Sequence, residues 1–288
     1  MNVAGKTALI TGGASGIGAA LSSELSARGA QVIVADIDDA GAETVARTAG
    51  NGAVAMAVDV ASIDSINTLA DRIRFEIGGL DLIFANAGVS AASPLLDAAQ
   101  DAFDWQFAVN VRGPWALAKA FLPEMIEARR PGHFIITASE HALGLQHTGV
   151  GIYTSTKHAT LGLAEVLRAE MPATIQVSIF CPGLVTTRLH DAARFGVVPD
   201  APGDLKAIGE AISEKGMAAG TVAKMAIDGV ERGDFFIVTH PTAFAAAQRR
   251  FAELEQAFSA QAPMTEDARK YDMNTIIASV LSQMGTTS

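Results

Sequence analysis

Tyr153 and Lys157 lie four residues apart at the start of a segment with helical periodicity. Positions i and i+4 share one face of a helix, so the phenol and the ammonium are expected to be neighbours. A tyrosine with a pKa of about 10 is a poor base at neutral pH, and a nearby ammonium favours its phenolate. With Ser139 at the end of the preceding predicted strand, the pair has the parts for proton transfer to or from an alcohol oxygen that the serine holds. The same spacing is also common in helices that have no catalytic role.

A second group of candidate residues lies in the stretch Thr11–Gly18, which reads Thr-Gly-Gly-Ala-Ser-Gly-Ile-Gly. It follows the apolar run Ala8–Ile10 and leads into Ile17–Arg28, where apolar residues recur at helical spacing, so a strand, a turn and a helix are predicted. Glycines let a backbone adopt positive φ and approach a ligand closely, and the N-terminus of the following helix suits a pyrophosphate. An ordinary tight strand-to-helix turn is the alternative.

Asp36 ends the next apolar run, Gln31–Ala35, about 20 residues after these glycines. From that position an acidic side chain holds the ribose hydroxyls of a dinucleotide. A carboxylate there repels the 2′-phosphate of NADP, and the flanking Ala35 and Ile37 supply no cation, so NAD is the predicted cofactor. A solvated acid that opens the turn Asp36–Asp39 is the alternative.

Apolar runs typical of strands alternate with helical patterns along the chain. The predicted strands are Ala8–Ile10, Gln31–Ala35, Ala53–Ala57, Leu80–Ala85, His133–Ala138, Gln176–Cys181 and Phe235–Val238. The predicted helices are Ile17–Arg28, one capped by Ser62, Asp101–Arg129 with interruptions at Gly113–Pro114 and Pro123, Tyr153–Met171, Leu205–Lys215 and Ala219–Arg232. This alternation predicts an α/β fold, a doubly wound parallel sheet (Rossmann fold) of about seven strands with helices on both faces. Ligands of such a sheet bind outside the carboxyl ends of its strands, where small and polar residues collect in this chain.

Composition excludes several classes of protein. Of the 288 residues, 49% are hydrophobic and only 6% aromatic, which fits a sheet buried on both faces. A net charge of −10 argues against nucleic acid as a partner. No apolar run reaches the ~20 residues of a membrane helix, and the single cysteine, Cys181, excludes a disulfide framework, so the cytoplasm is expected. No two of the six histidines have zinc-ligand spacing, and no metal is predicted.

In order and spacing, residues 3–240 resemble the short-chain dehydrogenase/reductase family. The matching motifs are the glycine turn Thr11–Gly18, Asp59–Val60, Asn86–Ala87–Gly88, the set Asn110, Ser139, Tyr153 and Lys157, and Pro182–Gly183 with Thr187. The sequence departs from the family's pattern after Ser139, because Glu140 and His141 occupy positions where many relatives carry small residues.

The resemblance implies roles for these residues. Tyr153 is the expected general acid/base, Lys157 lowers its pKa and binds the nicotinamide ribose, and Ser139 orients the substrate oxygen. Asn110 is expected to hold a helix distortion and a water of the proton relay. The expected NAD contacts are Gly12, Ser15, Gly16, Ile17, Gly18, Asp36, Ile37, Asp59, Val60, Asn86, Ala87, Gly88, Tyr153, Lys157, Pro182, Gly183, Val185 and Thr187. A homodimer or homotetramer is expected, with the long helices that contain Asn110 and Tyr153 as contact faces.

We predict a single dinucleotide-binding and catalytic domain over residues 1–240, with a lid at about 187–217, and a helical extension over 241–288. The apolar residues of the lid predict an apolar or aromatic substrate, or else they only pack the lid onto the sheet. They are Leu189, Phe195, Val197, Val198, Leu205, Ile208 and Met217. His141 and His147 either line the substrate cavity or are exposed loop residues. The extension, with helical patterns from Phe244 to Phe258 and over Asn274–Met284, either covers the pocket or packs against another subunit.

The predicted activity is hydride transfer between NAD(H) and a secondary alcohol or ketone that is a small molecule. The stretch Asp234–Pro241 with its following helix is similar to family members that oxidise benzylic alcohols of lignin-derived dimers. A regulator that binds NAD without turnover is the alternative, and the intact catalytic set disfavours it. A sugar-nucleotide epimerase or dehydratase is disfavoured by the glycine spacing and by the short chain after Gly183.

Overall fold

Seven strands form the centre of the protein, whose computed structural model describes residues 1–198, 203–265 and 267–285. They are β1 (Thr7–Thr11), β2 (Gln31–Asp36), β3 (Val54–Ala57), β4 (Leu82–Ala85), β5 (Gly132–Thr137), β6 (Ile175–Cys181) and β7 (Phe236–Val238). All pairs are parallel, in the order β3-β2-β1-β4-β5-β6-β7. The predicted doubly wound parallel sheet is therefore confirmed, and the strand order reverses direction between β1 and β4, the place where ligands of such sheets bind.

Helices connect the strands and extend beyond the last one. They are α1 (Gly16–Ala27), α2 (Asp39–Ala49), α3 (Ile63–Glu76), α4 (Gln100–Phe107), α5 (Gly113–Glu127), α6 (Gly151–Glu170), α7 (Gly203–Ser213), α8 (Ala219–Arg232), α9 (Ala243–Gln261) and α10 (Met273–Gly285). Ser62 caps α3 as predicted, because its hydroxyl accepts a hydrogen bond from the Ser65 N–H at 3.2 Å.

The core lies on both faces of the sheet. Neighbouring residues of one strand point to opposite faces, so Leu9 packs with the cluster beneath α3, α5 and α6, whereas Ile10 packs with the cluster beneath α1, α2 and α8. Phe134 and Ile135 of β5 divide in the same way. Burial on both faces makes the sheet a rigid base for the loops at its carboxyl edge.

Two features of the helices differ from the sequence prediction. Helix α2 was not predicted, because the residues it buries are the alanines Ala42 and Ala46, which give a weak apolar pattern. The interruption predicted at Pro123 is wrong: α5 continues through this proline, while Phe121, Leu122 and Met125 around it are buried. Packing of these side chains outweighs the loss of one helical hydrogen bond.

The predicted lid leaves the sheet and returns to the same point. Val185 and Met217 pair as an isolated bridge, the Thr186 N–H donates to the Met217 carbonyl at 3.0 Å, and the Met217 N–H donates to the Leu184 carbonyl at 2.9 Å. Between these ends lie a short 3₁₀ helix, Ala192–Phe195, and α7. Residues 199–202 of the predicted lid and the Leu205 side chain lie outside the described part of the protein.

The chain divides into two compact units. The first, Met1–Ala243, contains the whole sheet. The second, Phe244–Ser288, contains α9 from its second residue onward, a 3₁₀ helix at Asp267–Tyr271, and α10. Residues 266 and 286–288 of the predicted extension lie outside the described part of the protein. Within the described ranges, no helix combines the length and the apolar character that a membrane crossing requires.

Candidate active site

The predicted phenol and ammonium lie together on the first turns of α6. Tyr153 and Lys157 are both buried, and the Lys157 Nζ lies 5.4 Å from the centre of the Tyr153 ring. The ammonium also donates a hydrogen bond to the carbonyl oxygen of Thr137, the last residue of β5, at 2.9 Å. This bond fixes Lys157 to the carboxyl edge of the sheet beside Tyr153.

Burial favours the neutral form of both groups, so it shifts their pKa values in opposite directions. It raises the pKa of Tyr153 to about 12, and a hydrogen bond with the Ser139 side chain opposes that rise. Burial lowers the pKa of Lys157 to about 8. At neutral pH the phenol is therefore protonated and the amine mostly charged, so Tyr153 becomes a base only when further positive charge is placed near it.

Ser139 follows β5 by two residues and joins two loops of the site. Its hydroxyl donates to the Pro182 carbonyl at 3.4 Å and accepts from the His141 N–H at 3.3 Å. The Glu140 N–H binds the same Pro182 carbonyl at 2.9 Å. The loop after β5 is thus held against the loop after β6, with the serine hydroxyl next to the phenol.

Asn110 lies in a π-helical turn, Ala108–Arg112, between α4 and α5. Its amide binds the Val89 N–H and carbonyl, both at 2.9 Å, and donates to the Thr156 hydroxyl at 3.0 Å. That hydroxyl donates in turn to the Tyr153 carbonyl at 2.7 Å. Asn110 is therefore connected to the start of α6 through Thr156 rather than by a direct bond.

The glycine turn brings backbone segments closer together than side chains would permit. A Cβ at Gly12 would lie 2.7 Å from the Ala87 Cα, and one at Gly18 would lie 2.0 Å from the Gly12 carbonyl oxygen. Gly12 and Gly16 also have positive φ angles of 67° and 55°. The turn therefore has an open backbone surface, which is the feature that close contact with a pyrophosphate requires.

The N-terminus of α1 is available to an anion. Ser15 occupies the cap position without a side-chain cap hydrogen bond, and the first turn contains no acidic residue. A cleft of about 420 Å³ opens beside it. The cleft is lined by Ser15, Gly16, Thr186, Thr187, Arg188, His190, Glu210, Ser213 and Glu214. The uncapped helix end, the glycine surface and the adjacent cleft fit the diphosphate of a dinucleotide.

Asp36 lies at the end of β2 with both carboxylate oxygens facing backbone donors. One oxygen accepts from the Ala14 N–H of the glycine turn at 2.9 Å, and the other accepts from the Asp38 N–H at 3.0 Å. These contacts fix the carboxylate beside the turn, where its remaining lone pairs can accept from ribose hydroxyls. Ile37 is exposed next to it.

The remaining predicted cofactor residues line the same edge. Asn86 connects three strands, because its Nδ2 donates to the Thr11 carbonyl at 3.0 Å and its Oδ1 accepts from the Thr137 hydroxyl at 3.2 Å. A Cβ at Gly88 would lie 3.6 Å from both the Asn110 Oδ1 and the Lys157 Nζ. Ile17 is partly buried against the core, and Val60 is buried beneath Gly113. The Asp59 carboxylate accepts a hydrogen bond from the Ala61 N–H at 2.9 Å. Val185 forms the bridge that closes the base of the lid.

Two side chains, Ser213 and His240, hold the predicted nicotinamide-side segment in place. The Thr187 N–H and carbonyl both bind the Ser213 hydroxyl of α7, at 3.3 and 2.6 Å. The Gly183 N–H donates to the His240 Nδ1 at 3.0 Å, and the His240 Nε2 binds the Leu184 carbonyl at 3.0 Å. Four residues that hold the site were not predicted, because each bonds to a partner far away in the sequence and no local pattern reveals such a contact. They are Thr137, Thr156, Ser213 and His240.

No metal centre is built by the described residues: none of their His, Cys, Asp and Glu side chains form a group of three or more that could hold an ion.

Comparison with known proteins gives matches over most of the chain. A family model described as short chain dehydrogenase matches residues 6–195. The 1-deoxy-11-beta-hydroxypentalenate dehydrogenase of Streptomyces avermitilis is 37% identical over 193 residues, which are 65% of this chain and 71% of that protein. A short chain dehydrogenase/reductase from Burkholderia phymatum, solved in complex with NAD, has a TM-score of 0.83 at 28% identity, covering 92% of this chain and 99% of its own. The apo form of LigO from Sphingobium sp. strain SYK-6 has a TM-score of 0.77 at 28% identity and covers 100% of this chain and 99% of its own.

Proposed function

Because the chain belongs to the short-chain dehydrogenase family, we propose that it transfers a hydride between NAD(H) and a secondary alcohol or ketone. The observation that carries this proposal is the buried pair Tyr153 and Lys157 beside Ser139, at the sheet edge where the glycine turn also lies. A phenol, an ammonium and a hydroxyl in that arrangement serve proton transfer at an alcohol oxygen.

Bound NAD⁺ supplies the hydride acceptor. The residues that would hold it are the glycine turn and the N-terminus of α1 for the diphosphate, Asp36 for the adenosine ribose, and Lys157 for the nicotinamide ribose. Thr187 would contact the carboxamide. The open backbone at Gly12 and Gly18 and the cleft beside Ser15 support this placement.

In the proposed oxidation, the Ser139 hydroxyl orients the substrate oxygen and the Tyr153 phenolate takes the proton from that oxygen. The carbinol hydrogen would leave with its electron pair for the hydride acceptor that NAD⁺ supplies. In the reduction, the Tyr153 phenol donates the same proton to the carbonyl oxygen. Lys157 stabilises the phenolate electrostatically. Asn110 holds the start of α6 through Thr156.

We propose NAD rather than NADP, on the strength of Asp36. Its carboxylate is fixed beside the glycine turn by the Ala14 N–H, where a 2′-phosphate would bring negative charge against it. The structural relative from Burkholderia phymatum holds NAD, which supports the same preference.

The proposed substrate is apolar or aromatic. In the lid, Val197 and Ile208 are exposed and Phe195 is partly buried against Trp105, with their rings 5.7 Å apart. The dehydrogenase of Streptomyces avermitilis is named for a hydroxylated compound, which supports an alcohol as the reacting group.

We place cofactor binding and catalysis in residues 1–240 and treat 241–288 as an extension.

We also propose that the protein works in the cytoplasm as a homodimer or homotetramer. Exposed apolar residues on α5 and α6, Trp115 and Val166, support contact faces on these helices.

Tyr153→Phe tests the proposed chemistry, because it removes only the hydroxyl. We expect the kcat of NADH formation, measured by absorbance with a panel of aryl and alkyl secondary alcohols, to fall at least ~100-fold. The Kd for NADH, measured by fluorescence titration, is expected to stay within about threefold, because Lys157 and the glycine turn are unchanged.

Turnover that survives in Tyr153→Phe rules out the assigned acid/base. If the unaltered protein binds NADH tightly but turns over no alcohol or ketone of the panel, it is an NAD-binding regulator instead.

A further inference from the structure

His141 lies beside the reacting phenol. Its backbone N–H donates to the Ser139 hydroxyl at 3.3 Å. Its imidazole ring meets the Tyr153 ring edge-on, with centroids 5.4 Å apart and planes at 77°. The ring of His147 also adjoins that of His141, with centroids 5.3 Å apart. The imidazole therefore stands next to the phenol, and the backbone of the same residue holds the Ser139 hydroxyl.

The hydrogen bonds of His141 determine which ring nitrogen carries the proton. Its Nδ1 lies 2.8 Å from the Thr154 hydroxyl, and that hydroxyl donates its single hydrogen to the Val150 carbonyl at 2.9 Å. With its hydrogen on the Val150 carbonyl, the hydroxyl accepts from His141, and we therefore assign the ring proton to Nδ1. Burial, with contributions from His147, His158 and Lys157, lowers the pKa of His141 to about 4, so the ring is neutral at neutral pH and Nε2 bears a lone pair.

That lone pair is open to a ligand. Among the described residues, the hydrogen bonds of His141 are made by its backbone N–H and its Nδ1, and none is made by Nε2. The only buried side-chain polar atom without a partner there is the Nδ1 of a different histidine, His133, so the His141 Nε2 is reachable from solvent. The imidazole that adjoins Tyr153 thus offers a hydrogen-bond acceptor that cannot donate.

We propose that the His141 Nε2 accepts a hydrogen bond from a second hydroxyl of the substrate, so that the preferred substrates are diols or hydroxyketones rather than simple secondary alcohols. This inference rests on the proposed function and narrows its substrate class. A neutral acceptor held in one tautomer distinguishes a hydroxyl from an ether oxygen of the same size, because only the hydroxyl can donate to it.

Three related substrates separate these cases: 1-phenylethane-1,2-diol, its 2-methoxy ether, and 1-phenylethanol. We expect the unaltered protein to oxidise the diol with a kcat/KM at least about tenfold above that of the ether. In His141→Phe the diol-to-ether ratio of kcat/KM should fall to about one, and the advantage of the diol over 1-phenylethanol should fall with it. His147→Phe is the matched control, because it changes the neighbouring loop histidine, whose ring adjoins His141 but has no hydrogen bond to Tyr153 or Thr154 among the described residues. This variant should keep the ratio.

The tautomer is tested separately by ¹⁵N NMR of the imidazole. We expect the signals of an Nδ1–H, Nε2-lone-pair ring in the unaltered protein and a mixed population in Thr154→Val, with Thr154→Ser restoring the first pattern. An Nε2–H ring in the unaltered protein overturns the proposal. So does a diol-to-ether ratio that is the same in His141→Phe and the unaltered protein. Failure of the unaltered protein to oxidise any alcohol would instead overturn the proposed function, and this inference with it.

Discussion

Burial governs the ionisable groups at the candidate site. The Tyr153 phenol, with its pKa raised to about 12, and the His141 imidazole, with its pKa lowered to about 4, are both neutral at pH 7. Lys157, whose pKa burial lowers to about 8, remains mostly protonated. One buried cation next to a protonated phenol makes the reactivity of that phenol sensitive to any charge that binds beside it.

Asp36 is predicted to set the choice between NAD and NADP through its charge. Asp36→Asn keeps an oxygen that can accept from the Ala14 N–H but removes the negative charge. Repulsion between unit charges about 4 Å apart is on the order of 1 kcal/mol in bulk water and 4 kcal/mol at an effective dielectric of about 20, so the NAD-to-NADP ratio of kcat/KM should fall by roughly tenfold or more. Steady-state kinetics with both coenzymes measure this ratio.

Asp39→Asn is the control, because Asp39 lies in the first turn of α2 and takes no part in the contacts with the glycine turn. A ratio unchanged in Asp36→Asn, or an unaltered protein that prefers NADP, would contradict the role given to this carboxylate.

The reacting side chains could be predicted from the sequence, whereas the groups that hold them could not. Tyr153 and Lys157 are one helical turn apart, so their proximity follows from local geometry alone. Lys157 is held by Thr137, which is 20 positions earlier, and Asn110 is linked to Thr156 across 46 positions. Only the fold brings these partners together, and neither threonine stands in a distinctive pattern.

At the scale of elements, the alternation of strands and helices was predictable because a strand buried on both faces gives an uninterrupted apolar run. Helix α2 was missed because alanine gives little contrast between its buried and exposed faces. The glycine turn was predictable for a different reason. Its glycines occupy positions where two backbone segments touch, and no other residue fits there.

Gly18→Ala is therefore predicted to separate α1 from the turn. The new Cβ would lie 2.0 Å from the Gly12 carbonyl oxygen, which belongs to rigid backbone, so the helix start must move. We expect a loss of about 2–3 kcal/mol in the free energy of unfolding and a fall in NADH affinity, measured by urea denaturation and fluorescence titration.

Gly162→Ala in α6 is the matched control. Its Cβ would meet no atom within 4 Å, so the same substitution should stabilise the helix by about 0.5–1 kcal/mol and leave NADH binding unchanged. Normal NADH affinity in Gly18→Ala would show that the close approach at this glycine is not needed for the cofactor.

At the scale of the whole molecule, two apolar layers enclose a sheet that contains one buried imidazole. His133 of β5 is fully buried, and its Nε2 lies 2.7 Å from the Ser178 hydroxyl, which donates to the Asp234 carbonyl at 2.5 Å. That hydroxyl therefore accepts from the Nε2–H, which leaves Nδ1 as an acceptor with no partner among the described residues. Protonation of Nδ1 would place an unpaired charge inside the sheet.

His133 is predicted to make the stability of the protein fall in mild acid. Burial lowers its pKa from 6.5 to about 4, so between these values the unfolded chain binds a proton that the folded protein does not. The contribution of neutral His133 to the free energy of unfolding is therefore fully present above pH 6.5. It is lost as the pH falls toward 4, for a total of about 3 kcal/mol. In His133→Leu the Ser178 hydroxyl keeps its bond to Asp234, so stability at pH 7 should change little and the variant should become the more stable protein near pH 4.5. Urea denaturation of both proteins across pH 4–8 gives the difference curve, from which the titration of all other groups cancels. Parallel curves would show that His133 is protonated as readily in the folded sheet as in the unfolded chain.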